Sequence, residues 1–114
     1  MIIDSSALIA IAFRENGAAE MRAAILAASR LMIPAPVVTE VHLVMGGRGA
    51  YTMSEVDTFF AQFLTAGATI VPFDESHTVI TASASQAYGK GNGSGGKLNF
   101  GDLMVYAVAK TSGY

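Results

Sequence analysis

Three carboxylates stand in apolar surroundings along this chain. Asp4 interrupts MIIDSSALIA between two apolar runs, and Glu40 lies in PVVTEVHLVM, with Val37 three residues before it and Val44 four after. On a helix that spacing puts the acid on the valine face. Asp102 opens GDLMVYAVAK and shares a helical face with Val105, Tyr106 and Ala109. Taken singly, Asp4 and Asp102 could each cap a helix, and Glu40 could be a partly exposed helix residue near an arginine. As a set they differ from Glu15, Glu20, Glu55, Asp57, Asp74 and Glu75, which fall at helix ends or on polar faces. None of the three has a basic partner close by in sequence. Two carboxylates about 4 Å apart repel by about 4 kcal/mol at an effective dielectric of about 20, so three converging acids require neutralisation. A divalent cation supplies it. Hard carboxylate oxygens suit Mg²⁺ or Mn²⁺, and such an ion can activate a water and offset charge building on a phosphodiester.

The elements that must carry these acids alternate between strand and helix. Met1–Ile3 reads as a short strand, and 5–14 as a helix that Ser5 or Ser6 caps and Asn16-Gly17 closes. A second helix is expected over 18–29, a second strand over 31–33 ended by Pro34, and a third helix from Pro36 to about Met45. After GGRGA, Ser54 and Asp57 resemble a capping box for a helix to about Ala66, with an apolar stripe through Val56, Phe59, Phe60, Phe63 and Leu64. ATIVPF, 68–73, is the third strand, and Asp74 caps a helix ending near Tyr88. The last helix begins near Gly101 or Asp102 and runs to Ser112. Such a rhythm implies one domain with a parallel sheet covered on both faces. Asp4 then sits beyond the carboxyl end of a strand, where functional crevices form in such sheets.

Composition narrows the field. The 114 residues are 52% hydrophobic and only 14% charged, which excludes disorder and leaves apolar surface for a partner. The net charge of −2 excludes a globally basic face, so nucleic-acid contacts would need local cations and a bound metal. Absence of cysteine excludes disulfides and thiolate metal sites. No apolar run is long enough to cross a bilayer, and Asp4 stands where a signal peptide carries positive charge, so the expected location is cytoplasmic. GKGNGSGGK, with five glycines in nine residues, follows a helix and matches no phosphate-binding glycine pattern; it reads as a loop. Arg48, Lys90 and Lys97 are candidates for phosphate contacts, against the plainer reading of solvated loop charges. His42 is two residues past Glu40 and aims away from it on a helix, and His77 is expected at the surface. The methionines at 32, 45, 53 and 104 read as core or partner-facing filler.

MIIDSSAL, PAPVVTEV, TIVPFDESH, and YGKG followed by LNFGDLMVYAVAK together resemble the PIN domain, and within it the VapC-type ribonuclease toxins of toxin–antitoxin systems. These pieces cover nearly the whole chain in the family's order. The resemblance implies a PIN-like three-layer α/β/α sandwich with a central parallel sheet, and a metal-dependent endoribonuclease. It implies that Asp4, Glu40 and Asp102 hold Mg²⁺ or Mn²⁺, that Ser6 is the small hydroxyl residue of the first motif, and that Asn99 supports the site from LNFGD. It further implies an RNA substrate, a cognate VapB-type antitoxin that inserts an apolar and basic segment, and a homodimer. Family members continue beyond a segment like KTSGY into another strand beside the first and a further acid. A domain lacking its C-terminal strand is therefore expected, with three explanations open: a truncated product, further residues beyond this sequence, or a strand swapped in from another molecule. Two rival readings stand beside this one. The first is a non-catalytic PIN-like binding module or inactive truncated remnant. The second takes Asp4 as a phosphorylated nucleophile, but its pattern wants an acid two residues on, where this chain has Ser6.

Overall fold

The computed structural model describes residues 1–47, 49–88 and 100–113. Its elements are α1 (Ser5–Ala12), α2 (Ala18–Ala27), β1 (Met32–Pro34), α3 (Ala35–Gly47), α4 (Met53–Thr65), β2 (Thr69–Val71), α5 (Glu75–Tyr88) and α6 (Phe100–Thr111). β1 and β2 pair in parallel, with Met32 opposite Thr69 and Pro34 opposite Val71. The expected alternation is present, and the parallel sheet with its helices is that of an α/β domain.

The first strand is shorter than the sequence suggested. Met1–Ile3 contributes one parallel bridge, Ile2 to Met32, although two backbone bonds secure it: Ile3 N–H to the Met32 carbonyl and Met32 N–H to the Met1 carbonyl, both 2.9 Å. Asp4, directly after Ile3, is already the extended N-cap of α1, so the pairing gives way to helix at that point.

α1 also ends early, at Ala12, through a Schellman arrangement in which Arg14 N–H reaches the Ile11 carbonyl and Glu15 N–H the Ala10 carbonyl. Arg14 occupies the left-handed position at φ 55°. Asn16-Gly17 therefore does not close α1; Gly17, at φ 81°, starts α2 instead. The capping box of α4 is likewise shifted by two residues from expectation. Thr52 Oγ1 accepts from Glu55 N–H at 3.2 Å, and Glu55 returns the bond to Thr52 N–H at 2.9 Å. Thr52 wins over Ser54 because its glutamate is long enough to reach back to the cap.

The main core joins Ile3, Leu8, Ile11, Ile25, Ile33, Val37, Val41, Met45, Val56, Phe60 and Phe63. α1 packs on α2 and α3, and α3 on α4, α6 and β1. Ile33 faces this core; by strand alternation its neighbours Met32 and Pro34 face the other way. A separate packed group holds α5 to α6 through buried Ala84, Ala107 and Val108. No helix of the described residues is long and apolar enough to cross a membrane.

His77 overturns the expectation of a surface residue: it is 5% exposed and stacks on Phe73 with ring centroids 5.1 Å apart. Its Nδ1 lies 3.0 Å from the Asp74 backbone nitrogen and 3.2 Å from Asp74 Oδ1, and its Nε2 is hydrogen-bonded to Thr111 Oγ1 at 3.1 Å. Thr111 in turn donates to carbonyls of α6. The His77 ring thus ties the start of α5 to the end of α6, and its periodicity on α5 gave no hint of a partner 34 residues away.

Phe63 is fully buried and makes an edge-on contact with Phe59, so Phe63→Ala should lower unfolding free energy by about 3–5 kcal/mol in denaturant titration. At the cap of α5, the Ser76 hydroxyl, 2.6 Å from Asp74 Oδ1, holds the Asp74 carboxyl below its usual range, helped by backbone N–H groups and by His77. A folded value below the unfolded one means that the stabilisation is complete above the unfolded value, near 4, and is lost as pH falls through the lowered folded value. Asp74→Ala should accordingly lower the melting temperature at pH 6 and cease to do so in strong acid.

Candidate functional site

Asp4 is both a cap and an exposed acid. Its Oδ1 accepts from Ala7 N–H at 2.9 Å and from the Ser6 hydroxyl at 3.0 Å, which closes the first turn of α1. Among the described residues nothing donates to Oδ2, so one carboxylate oxygen remains for other work. Ile3 on one side and Leu8 on the other are 2% and 0% exposed, and their burial fixes the turn that leaves Asp4 in solvent.

Glu40 is half-buried on α3, one turn after buried Val37 and next to buried Val41. The Ser5 hydroxyl lies 2.8 Å from its Oε1 and 3.0 Å from Oε2, donating across 35 residues of sequence. Ser5 was read from the sequence only as a possible cap. In the fold Asp4 takes the cap, which frees Ser5 to reach α3. Two adjacent serines thus serve two acids: Ser6 holds Asp4 and Ser5 holds Glu40.

Asp102 sits exposed in the first turn of α6, where the helix dipole favours a carboxylate. Residues flanking it, Phe100, Gly101 and Met104, join Pro36, Thr39, Glu40 and Leu43 around a cleft of about 420 Å³. A second cleft of about 330 Å³ shares Phe100 and Met104 and continues toward Phe73, Thr78 and Leu103. Leu43 and Phe100 are 70% and 77% exposed at the rim. The walls are largely apolar, and among the described residues Glu40 is the one acid that lines them. A larger cleft, about 610 Å³, lies between the α1–α2 turn and α4, bordered by Arg14, Arg22 and Tyr51, away from Asp4, Glu40 and Asp102.

The three acids converge less closely than their sequence pattern suggested. Among the described residues no group of three acids or histidines is gathered tightly enough to share a metal ion. Asp4 and Glu40 are joined through neighbouring serines, while Asp102 stands exposed on the first turn of α6, the helix whose Phe100, Gly101 and Met104 line the Glu40 cleft. In type the donors fit a hard cation: oxygen ligands, one Asp4 oxygen without a donor among the described residues, and a Glu40 carboxylate that accepts a single hydroxyl proton from Ser5. Mg²⁺ needs only one or two carboxylates and keeps several waters.

His42 stacks on Phe60, with centroids 5.4 Å apart and rings 10° from parallel, and so belongs to the α3–α4 contact. Arg48, Lys90, Lys97 and Asn99 lie outside the described residues.

Residues 1–114 match the PIN domain family. Ribonuclease VapC42 of Mycobacterium tuberculosis is 31% identical over 114 residues, which is 99% of this chain and 85% of that protein. VapC ribonuclease Mb2780c of Mycobacterium bovis shows the same identity and coverage. Ribonuclease VapC36 of M. tuberculosis is 34% identical over 112 residues, 96% of this chain and 78% of its own length.

Asn is as good a helix cap as Asp, so Asp4→Asn should leave stability within about 0.5 kcal/mol, whereas Asp4→Ala should cost about 1 kcal/mol. Denaturant titration of the two variants separates the capping role of this carboxylate from any role that requires its charge.

Proposed function

The chain belongs to the PIN domain family, and from that premise we propose that it is an endoribonuclease of the VapC type, dependent on Mg²⁺ or Mn²⁺. The observation that best supports this reading is the pairing of Asp4 and Glu40 through adjacent serines beside a cleft that α6 completes. Asp4 and Glu40 would hold the ion, with Asp102 acting from the start of α6, directly or through water. A bound divalent cation supplies an acidified water and offsets the negative charge of the phosphodiester under attack. The chain's own part is positional. The α1 cap fixes the Asp4 carboxylate at the helix start, and α3 presents Glu40 to the cleft from a packed face. Arg48, Lys90 and Lys97 would contact RNA phosphates, and Ser6 and Asn99 would support the acids.

Because an antitoxin segment of apolar and basic character suits apolar walls around one carboxylate, the cleft bounded by Leu43, Phe100, Met104 and Glu40 is the place proposed for a VapB-type partner. Homodimer formation in the cytoplasm belongs to the same reading, and the mass in solution tests the dimer.

Incubation of a structured RNA with the chain and Mn²⁺ should give cleavage that chelator abolishes. Asp4→Asn and Asp102→Asn should each reduce it by on the order of a hundredfold or more, beyond the loss from a supporting residue. Equal cleavage by the variants would remove the acids from the mechanism, and no cleavage with metal would favour a non-catalytic binding module. For the partner, Leu43→Asp should abolish binding of a co-expressed antitoxin while the melting temperature stays near that of the parent, since Leu43 is 70% exposed.

A further inference from the structure

We propose that Ser5 is a positioning residue for Glu40, setting the orientation in which that carboxylate can accept a divalent cation. The inference rests on the functional reading above and extends it to a side chain that touches neither metal nor RNA.

The geometry carries the argument. Ser5 Oγ lies 2.8 and 3.0 Å from the two Glu40 oxygens, so its single proton straddles the carboxylate and does not cap one oxygen alone. A glutamate on a helix has three rotatable side-chain bonds, and a half-buried one without a partner samples several rotamers. A donor shared between both oxygens restricts the plane of the carboxylate and leaves most of its lone pairs available. Ser5 is itself held fast. It occupies the first position of α1, between Asp4, which caps the helix, and Ser6, which donates to Asp4. The turn that orients Asp4 therefore also fixes the hydroxyl that orients Glu40, and the relation between the two acids is set by one dipeptide. Supporting residues of this kind hold a metal ligand in place without touching the ion, and their loss weakens metal binding by about tenfold to a hundredfold.

The test is Mn²⁺ affinity, read from the electron paramagnetic resonance signal of free Mn²⁺ with no RNA present, alongside the melting temperature. Ser5→Ala should bind Mn²⁺ about tenfold to a hundredfold more weakly than the parent, and Ser5→Thr, which retains the hydroxyl, should restore binding. On a Glu40→Gln background, Ser5→Ala should produce no further loss, because it acts through Glu40. Should the alanine variant fail to fold, Ser5→Cys keeps the volume with a much weaker donor and should show the same weakening. Parent-like Mn²⁺ affinity in Ser5→Ala, with only a lowered melting temperature, overturns the proposal by reducing the bond to a structural one. If Glu40→Gln by itself leaves Mn²⁺ affinity unchanged, the metal-site reading fails at Glu40 and this inference falls with it. Loss in Glu40→Gln without loss in Ser5→Ala overturns the Ser5 role alone.

Discussion

The abrupt turn at Asp4 governs the rest of the molecule. Ile3 and Leu8 must both enter the core, one at the end of an extended segment and the other on α1, and only the intervening residues can absorb the change of direction. Burying such side chains contributes about 1.5–3 kcal/mol each, while a lone buried carboxylate would cost several, so the chain resolves the conflict by pinning Asp4 in solvent at the helix start. The same turn fixes Ser5 and Ser6. Two hydroxyls from consecutive helical positions diverge by about a hundred degrees, which lets one fold back on Asp4 and the other cross to Glu40 on α3.

Around that turn the helices divide the work. α3 is the hub, since it packs on α1, α4, α6 and β1, and Val37, Val41 and Met45 bury its inner stripe. Glu40 and Leu43 lie off that stripe and reach the cleft, where α6 supplies Phe100 and Met104. The cleft exists because α6 meets α3 near its amino end, while its carboxyl end is moored to α5 by the His77–Thr111 bond. Apolar surface left open at Leu43 and Phe100 accounts for part of the low charge fraction of the chain.

Much of this arrangement was legible in local sequence. The alternation of strand and helix, the cap at Asp74, the apolar residues of α3 and the broad stripe of α4 are all short-range patterns. They survive because capping and amphipathicity are decided within a turn or two. The errors have equally local causes. Ser54 with Asp57 looked like a box, but the longer Glu55 reaches back to Thr52. Asn16-Gly17 looked like a stop, yet Arg14 takes the left-handed position first and Gly17 serves the next helix.

The sequence by itself determined which carboxylates are unusual, which elements carry them and, through motifs in order along the chain, the family to which it belongs. Only the tertiary structure decided their partners. Ser5 meets Glu40 across 35 residues, and His77 meets Thr111 across 34. Neither contact leaves a periodic trace, because a hydrogen bond between elements depends on how whole helices pack and not on the spacing within either one. For the same reason the pattern that singled out Asp4, Glu40 and Asp102 could not fix how near they come: α6 lines the Glu40 cleft with Phe100, Gly101 and Met104, and among the described residues the three acids do not close into one cluster.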